Sequence, residues 1–239
     1  MVISMKSVIL AGGLGTRVRP FTQVIPKPLL PIGEKAVLEI QIEHLEKYGF
    51  DEIFLATNYK SEYIESFLGD GTKYGVTLTV SKEDKPLGTA GPLSLLKDRM
   101  TEPFLLMNGD ILSLMDLGMF YRFAVEKDAL LTVAIKEIIT PFQFGNIYYE
   151  GDYVTGIDEK PDIRTKILAG IYIMKPDILE LIPYNEYYGM DTLMMRMLEE
   201  KIPIVKYETH EYWLDIGNID NYEEVQNIYE QLFKNGEKT

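Results

Sequence analysis

The chain contains no cysteine in its 239 residues. That excludes a disulfide scaffold, a thiolate zinc site and a cysteine nucleophile. It has two histidines, His44 and His210, with no ligand spacing around either, so a histidine metal centre finds no support. It lacks any apolar run of about 18 residues, and nothing predicts a membrane span. The opening MVISMKSVILAGG enters a glycine loop with no small-residue cleavage site, so a signal peptide is not expected and the cytoplasm is the default location. Met5 is an alternative start, because the first strand begins near Lys6. Positive charge is short: the net charge is −13. Such a chain fits nucleic acid poorly. If it binds a polyphosphate, it must gather its cations locally or recruit a metal. A Gly-x-Ser-x-Gly elbow is also absent, which leaves hydrolase chemistry without a signal.

What is present is an alternation of strands and helices. Lys6–Leu10, Glu52–Thr57, Val76–Ser81 and Pro103–Met107 read as strands. Val37–Tyr48, with Leu38, Ile42 and Leu45 on one face, reads as a helix stopped by Gly49, and Glu62–Leu68 and Thr89–Leu96 read as further helices. This order predicts a mostly parallel sheet in a doubly wound, Rossmann-like α/β fold. The second half is more mixed. Leu130–Lys136, Ile167–Met174, Ile204–Tyr207 and Glu211–Leu214 are expected as strands, and Ile147–Tyr149 and Val154–Ile157 as a hairpin about Glu150-Gly151. Pro176–Ile182 and Thr192–Glu199 look helical, and Tyr222, Val225, Tyr229 and Leu232 give a last helix one apolar face before a polar tail, Lys234–Thr239. With no repeat or linker, the reading is one domain over 1–239, in two halves (1–112 and 113–239) on a mixed sheet.

In an open α/β sheet, ligands sit at the carboxyl ends of strands. Leu10-Ala11-Gly12-Gly13-Leu14-Gly15-Thr16-Arg17 lies at such an end, where glycine backbone N–H groups can face phosphate oxygens. Arg17, Arg19 and Lys27 put three cations into one short stretch. The Walker pattern is absent, and the third glycine of the dinucleotide fingerprint does not follow. A plain structural turn would explain the glycines but not the cations beside them.

The longer string is more specific. Leu10–Pro20 followed by Pro26-Lys27-Pro28-Leu29-Leu30-Pro31 resembles the signature of the sugar-1-phosphate nucleotidyltransferases. Pro86-Leu87-Gly88-Thr89-Ala90-Gly91 resembles the family's base-side loop, and Asn108-Gly109-Asp110 its first metal motif. Glu159-Lys160-Pro161 resembles its sugar-phosphate motif, and Trp213-Leu214-Asp215-Ile216-Gly217 its second metal motif. The order of the five agrees along nearly the whole chain. The continuation Pro92-Leu93 looks most like short mannose- and heptose-1-phosphate guanylyltransferases.

This resemblance implies Mg²⁺-assisted in-line displacement at the α-phosphorus of a nucleoside triphosphate by a sugar 1-phosphate. Since the attacking oxygen is already an anion, catalysis rests on positioning and on cancelling negative charge. The resemblance assigns Asp110 and Asp215 to the metal and Arg17 to the triphosphate. Lys27 goes to the reacting phosphates, between prolines expected to hold its backbone extended. Lys160 goes to the sugar phosphate and Glu159 to a sugar hydroxyl, which requires a bend before Pro161. Leu10, Gly12, Gly13, Gly15, Thr16, Pro86, Gly88 and Thr89 would surround the nucleotide, and Asn108, Gly145 and Gly170 the sugar. For each cation the bland alternative is a solvated side chain; for each aspartate it is a turn or cap.

Glu83 departs from the glutamine common near this place in uridylyl and thymidylyl members. A carboxylate only accepts hydrogen bonds, which suits the N1–H and 2-amino donors of guanine and so favours GTP; exposure in the polar run Ser81–Lys85 is the rival. Tyr187-Tyr188 are candidates for the sugar pocket, with helix capping by Asp191 the rival use of that segment. Another base (UTP, dTTP or CTP) and a catalytically silent nucleotide-sugar-binding regulatory subunit are the alternatives. A metal-dependent glycosyltransferase finds no Asp-x-Asp. Family members are often dimers or tetramers, so a homo-oligomer is open. The β-helix domain of many full-length mannose-1-phosphate guanylyltransferases is not expected.

Overall fold

The computed structural model describes residues 5–229 and residue 231. Its strands are β1 (Met5–Leu10), β2 (Phe50–Thr57), β3 (Thr77–Lys82), β4 (Phe104–Asn108), β5 (Ile111–Ser113), β6 (Leu131–Pro141), β7 (Asn146–Glu150), β8 (Tyr153–Asp158), β9 (Asp162–Met174), β10 (Ile204–Thr209) and β11 (Trp213–Asp215). The longer helices are α1 (Val37–Lys47), α2 (Ser61–Leu68), α3 (Leu117–Lys127), α4 (Met190–Glu199) and α5 (Ile219–Tyr229). Leu232 and the tail Lys234–Thr239 lie outside the described residues.

Seven strands form the central sheet in the order β10-β6-β9-β4-β1-β2-β3. β1 is parallel to β2 and β4, and β2 to β3. The sheet is mixed because β9 runs antiparallel to both β4 and β6. Alternate residues of the buried strands face opposite layers. Ile9, Leu55, Leu105 and Ile171 join Leu38, Ile42, Leu45 and Phe120 on one side, packing α1 and α3 there. Val8, Phe54, Leu106 and Tyr172 join Leu93, Ile178, Leu193 and Met197 on the other, packing α4 there. Among the described residues no helix is long and apolar enough to cross a membrane.

The chain runs β1–β2–β3 outward and returns at β4 on the other side of β1. The strand order therefore switches between β1 and β4, and their ends, Leu10 and Asn108, sit side by side. An open sheet has a crevice at such a switch point.

Several elements differ from the sequence reading. The helix α3 was not foreseen, although Asp116 caps it by accepting from the Met119 N–H (2.6 Å) and Leu117, Phe120 and Ala124 recur at helical spacing. Thr89–Leu96 and Pro176–Ile182 are 3-10 turns, over Gly91–Leu96 and Pro176–Leu181. Both carry a proline in their first turn, and their few residues suit the tighter, shorter helix. β6 and β9 run well past their expected ends, because each supplies the other's hydrogen bonds out to Pro141 and Asp162.

Candidate active site

A cleft of about 360 Å³ opens at the switch point. Leu10, Gly12, Gly13, Lys27, Glu83, Pro86, Gly88, Thr89, Asn108 and Asp110 line it, all residues singled out in the sequence. Asn58 and Tyr187 line it too and were not assigned there. Asn58 belongs to none of the five motifs. Tyr187 belongs to the Tyr187-Tyr188 pair expected at the sugar, yet it stands on the base-side loop.

The glycine loop leaves β1 and is anchored at Gly15. That residue has φ +60, and its carbonyl accepts from the Thr22 hydroxyl at 2.7 Å. A Cβ there would lie 2.6 Å from Thr22 Cγ2 and 3.0 Å from Lys27 Cβ, so only glycine fits. The contact holds the loop against the element carrying Lys27. Lys27 is not extended, as its flanking prolines suggested. It opens a 3-10 turn, Lys27–Leu29, closed by the Leu30 N–H on the Lys27 carbonyl at 3.1 Å. Pro26 takes the extended conformation instead. Pro26, Lys27 and Pro28 are all buried, so the solvated-cation alternative fails for Lys27.

The Lys27 ammonium pairs with the Asp110 carboxylate. Asp110 follows β4 in a tight turn whose Gly109 N–H donates to the Leu10 carbonyl at 3.0 Å. Buried Gln41 on α1 holds this turn from behind. Its Nε2 donates to the carbonyls of Asn108 (2.9 Å) and Ile111 (2.7 Å), one on each side of Asp110. Sequence reading missed Gln41; its signal was an amide on the otherwise apolar face of α1.

Asp215 arrives from the far end of the chain. β11 pairs antiparallel with β5, opposing Asp215 to Ile111, and the Ile216 N–H donates to the Asp110 carbonyl at 2.9 Å. Trp213 Nε1 donates to the Ala169 carbonyl at 2.7 Å and fixes the strand. Asp215 Oδ1 is buried and has no hydrogen-bond partner. Burial, and then the charge of Asp110, push its carboxyl above the ordinary range; Lys27 and Arg17 pull it partly back. Arg17 reaches the same place: a Cβ on Gly217 would lie 3.2 Å from both Asp215 oxygens and 3.4 Å from an Arg17 guanidinium nitrogen. Thr16 and Arg17 are exposed on the turn beyond the glycine loop.

Two carboxylates crowded together with one oxygen unsatisfied are costly unless a cation joins them. Among the described residues no group of three or more His, Cys, Asp or Glu gathers. The side-chain donor set is therefore the two carboxylates of Asp110 and Asp215. That suits Mg²⁺, which binds through one or two carboxylates plus substrate phosphates and water, and it does not suit a dedicated protein cage.

On the base side, Glu83 is 6% exposed, so the solvated alternative fails. Its Oε2 accepts from the Leu87 N–H at 3.0 Å, while Oε1 lies 3.2 Å from where a Gly12 Cβ would stand. Burial raises its pKa, and the Leu87 N–H partly offsets that. The Pro86–Gly91 loop is braced from the second half of the chain. Ala90 and Gly91 N–H both donate to the Tyr188 carbonyl at 2.9 Å, and the Tyr188 N–H donates to the Leu87 carbonyl at 2.8 Å. Gly88 has φ +81, and a Cβ there would meet the Tyr188 carbonyl oxygen at 2.7 Å. Thr89 accepts from the Met190 N–H at 2.8 Å, so it satisfies the start of α4, and Asp191 makes no capping bond.

Gly145, Glu159 and Lys160 do not line this cleft. They gather at a bend beyond β8, where Lys160 has φ +48 and Glu159 Oε2 lies 3.1 Å from a would-be Gly145 Cβ. The required bend before Pro161 is thus present, and both side chains are exposed. Gly170, at φ +69 in a bulge of β9, lies against the Asn108 amide, 2.7 Å from its would-be Cβ.

Residues 6–232 match the model of the nucleotidyl transferase family. The chain belongs to that family. Probable mannose-1-phosphate guanylyltransferase 1 of Oryza sativa subsp. japonica is 34% identical over 227 residues, covering 91% of this chain and 63% of that protein. UTP–glucose-1-phosphate uridylyltransferase of a Synechocystis strain is 32% identical, covering 97% of this chain and 65% of its own length. The chain thus spans just under two thirds of these curated relatives. The crystal structure of HddC from Yersinia pseudotuberculosis complexed with GMP-PN superposes with a TM-score of 0.74 at 27% identity, over 94% of this chain and 99% of that one. Nucleotidyl transferase membership agrees with the resemblance carried by the five motifs.

Proposed function

We propose that this chain transfers a nucleotidyl group, from GTP in preference to other triphosphates, to a sugar 1-phosphate, releasing pyrophosphate and forming a nucleotide sugar. The observation that carries the reading is the meeting of Lys27, Asp110, Asp215 and Arg17 at the switch point of the sheet, with a buried Asp215 oxygen left unsatisfied. Crowded phosphoryl groups need such cancelling charge.

In this reading Asp110 and Asp215 would hold Mg²⁺, which would supply positive charge against the crowded phosphoryl groups. Lys27 steadies the reacting phosphates, and Arg17 receives the β and γ phosphates as they leave. Leu10 and the backbone of Gly12, Gly13, Gly15 and Thr16 shape the nucleotide seat. Pro86, Gly88 and Thr89 close the base side, where Glu83 accepts from guanine N1–H and its 2-amino group. Asn108, Gly145, Glu159, Lys160 and Gly170 face the sugar phosphate. The 1–112 half carries the nucleotide and the 113–239 half the sugar. The relatives named as guanylyltransferases, and the GMP-PN complex of HddC, support the guanine reading. The named uridylyltransferase supports UTP as the runner-up. The cytoplasm, where nucleoside triphosphates are made, is the assigned compartment.

The test is a matrix of four triphosphates against several sugar 1-phosphates, with pyrophosphate release as readout. GTP-dependent release with at least one sugar is expected. Product binding without turnover in any well would replace this reading with a silent binding subunit.

A further inference from the structure

Among the described residues, Tyr187 alone brings an aromatic ring to the cleft, and none of the five motifs contains it. Its side chain is 73% exposed, yet the backbone around it is tied down. The Asn185 N–H donates to the Ser94 hydroxyl at 3.0 Å, and the Tyr188 N–H to the Leu87 carbonyl at 2.8 Å. The Met190 N–H donates to the Thr89 hydroxyl at 2.8 Å, and the Tyr188 carbonyl accepts from Ala90 and Gly91 at 2.9 Å. A Cβ on Gly91 would lie 2.5 Å from the Glu186 carbonyl oxygen, so the two segments run in close backbone contact. Tyr188 packs against the core on the α4 side of the sheet. Tyr187 instead stands in the cleft beside Gly88, its Cε2 3.4 Å from where a Gly88 Cβ would be.

A fixed main chain thus presents an unpaired ring. Among the described residues neither the ring nor the hydroxyl of Tyr187 has an aromatic, cationic or hydrogen-bonding partner. A tyrosine held this way freezes only two side-chain torsions when a ligand lies against it, which makes it an inexpensive contact for a flat surface.

The chemistry of the cleft says which surface. A neutral ring offers a phosphate nothing, and phosphate charge has its partners in Lys27 and Arg17. Gly145, Glu159 and Lys160 do not line this cleft, so the sugar lies elsewhere. Gly88 instead follows Leu87, whose N–H holds Glu83 at 3.0 Å. Glu83 can meet a base only at its edge, and a base held by one edge still swings out of plane. A ring laid on its face removes that freedom.

We propose that Tyr187 stacks on the face of the nucleobase, so that the second half of the chain supplies a base contact to the nucleotide seated in the first. The assignment rests on the nucleotide reading of the cleft and adds to it a residue that reads the base by its face. Stacking is indifferent to exocyclic groups, because every base has a π-face. An edge contact is not, and this separates the two roles.

The test is calorimetric binding, with Mg²⁺ and without sugar phosphate, of three probes. These are GTP, ITP (which lacks the 2-amino group) and inorganic tripolyphosphate (which lacks the base). Tyr187→Ala should raise the dissociation constant for GTP and for ITP by the same factor, roughly five- to a hundredfold. Its affinity for tripolyphosphate and its melting temperature should stay at the wild-type values, since the side chain is exposed. Tyr187→Phe should bind all three within about twofold of wild type, because stacking needs the ring and not the hydroxyl. Tyr187→Trp keeps a stacking face and needs no destabilising change. The wild-type chain has Trp213 as its one tryptophan, so the added emission should be quenched by GTP and not by tripolyphosphate. Unchanged GTP affinity in Tyr187→Ala overturns the proposal while the nucleotide reading stands. So does an equal loss for tripolyphosphate, or a loss for GTP without one for ITP, which would make Tyr187 a support of Glu83 alone. If the wild type binds only UTP, the guanine reading falls, and Tyr187→Ala must still weaken UTP and spare tripolyphosphate. A wild type that binds no triphosphate overturns the nucleotide reading and this assignment together.

Discussion

Replacing Glu83 with glutamine separates the guanine reading from every rival base. The side chain is buried, its Oε2 is already held by the Leu87 N–H at 3.0 Å, and its Oε1 turns toward Gly12 and the cleft. Glutamine keeps the volume and, through its carbonyl oxygen, the Leu87 bond. It loses the carboxylate's desolvation cost, the main cause of the raised Glu83 pKa. The fold should therefore tolerate Glu83→Gln without loss of stability. What changes is the edge offered to a base. Where guanine presents two donors, the variant sets an NH₂ donor against one of them. One charge-assisted bond, about 1.5–3 kcal/mol, is lost, and a donor–donor clash replaces it. Together these lower kcat/KM for GTP by roughly a hundredfold or more, at about 1.4 kcal/mol per tenfold. Uracil and thymine present one donor between acceptors and gain a partner, so UTP and dTTP should rise relative to GTP. The assay is pyrophosphate release with each triphosphate at a fixed sugar 1-phosphate. A GTP value within about threefold of wild type, less than 1 kcal/mol, refutes the assignment of Glu83. A wild-type enzyme that uses UTP alone refutes the guanine reading itself.

Asp110→Asn removes one of two convergent carboxylates; turnover should fall by about 10²–10³, as for loss of a transition-state electrostatic partner, while thermal unfolding stays near wild type. Wild-type turnover would take Asp110 out of the mechanism. Gly15→Ala forces a Cβ against Thr22 at a φ of +60, costing about 1–3 kcal/mol, and should depress nucleotide binding more than it lowers the melting temperature; equal KM for the triphosphate would contradict that. Gln41→Leu strips the carbonyls flanking Asp110 of their donors, so half-saturation by Mg²⁺ should shift upward several-fold, a readout that plain loss of stability does not move. His44 gives a pH prediction. Burial holds it neutral, lowering its pKa from 6.5 to about 4, while Nε2 meets the Met115 carbonyl at 2.9 Å. The unfolded chain takes up a proton first, so this stability is full above about pH 6.5 and is lost as pH falls toward 4, by up to the order of 3 kcal/mol. Urea midpoints of His44→Gln should flatten across that window; identical profiles would refute the shift.

How far the site could be read in advance depended on where its residues lie in the chain. Gly12, Lys27, Asp110 and Asp215 carry local motifs, and strand ends brought them together as a doubly wound sheet requires. The helix α3 carries ordinary signals, the Asp116 cap and the helical spacing of Leu117, Phe120 and Ala124, outside any of the five motifs. What no local pattern could reveal was the far partner of each brace across the chain. Gln41 holds a turn 67 residues away, and Tyr188 holds the Pro86–Gly91 loop. Those contacts are backbone carbonyls and N–H groups meeting distant partners, and backbone atoms leave no mark in a sequence. The glycines left an indirect one. Gly15 and Gly88 are glycine because a Thr22 side chain and a Tyr188 carbonyl stand where a Cβ would be, as much as because a phosphate must approach. The same loop thus serves packing and binding at once. A substitution that disturbs only the distant brace should consequently be felt at the Pro86–Gly91 loop, which makes the segment at 186–190, from the second half of the chain, a determinant of how that side of the cleft is held.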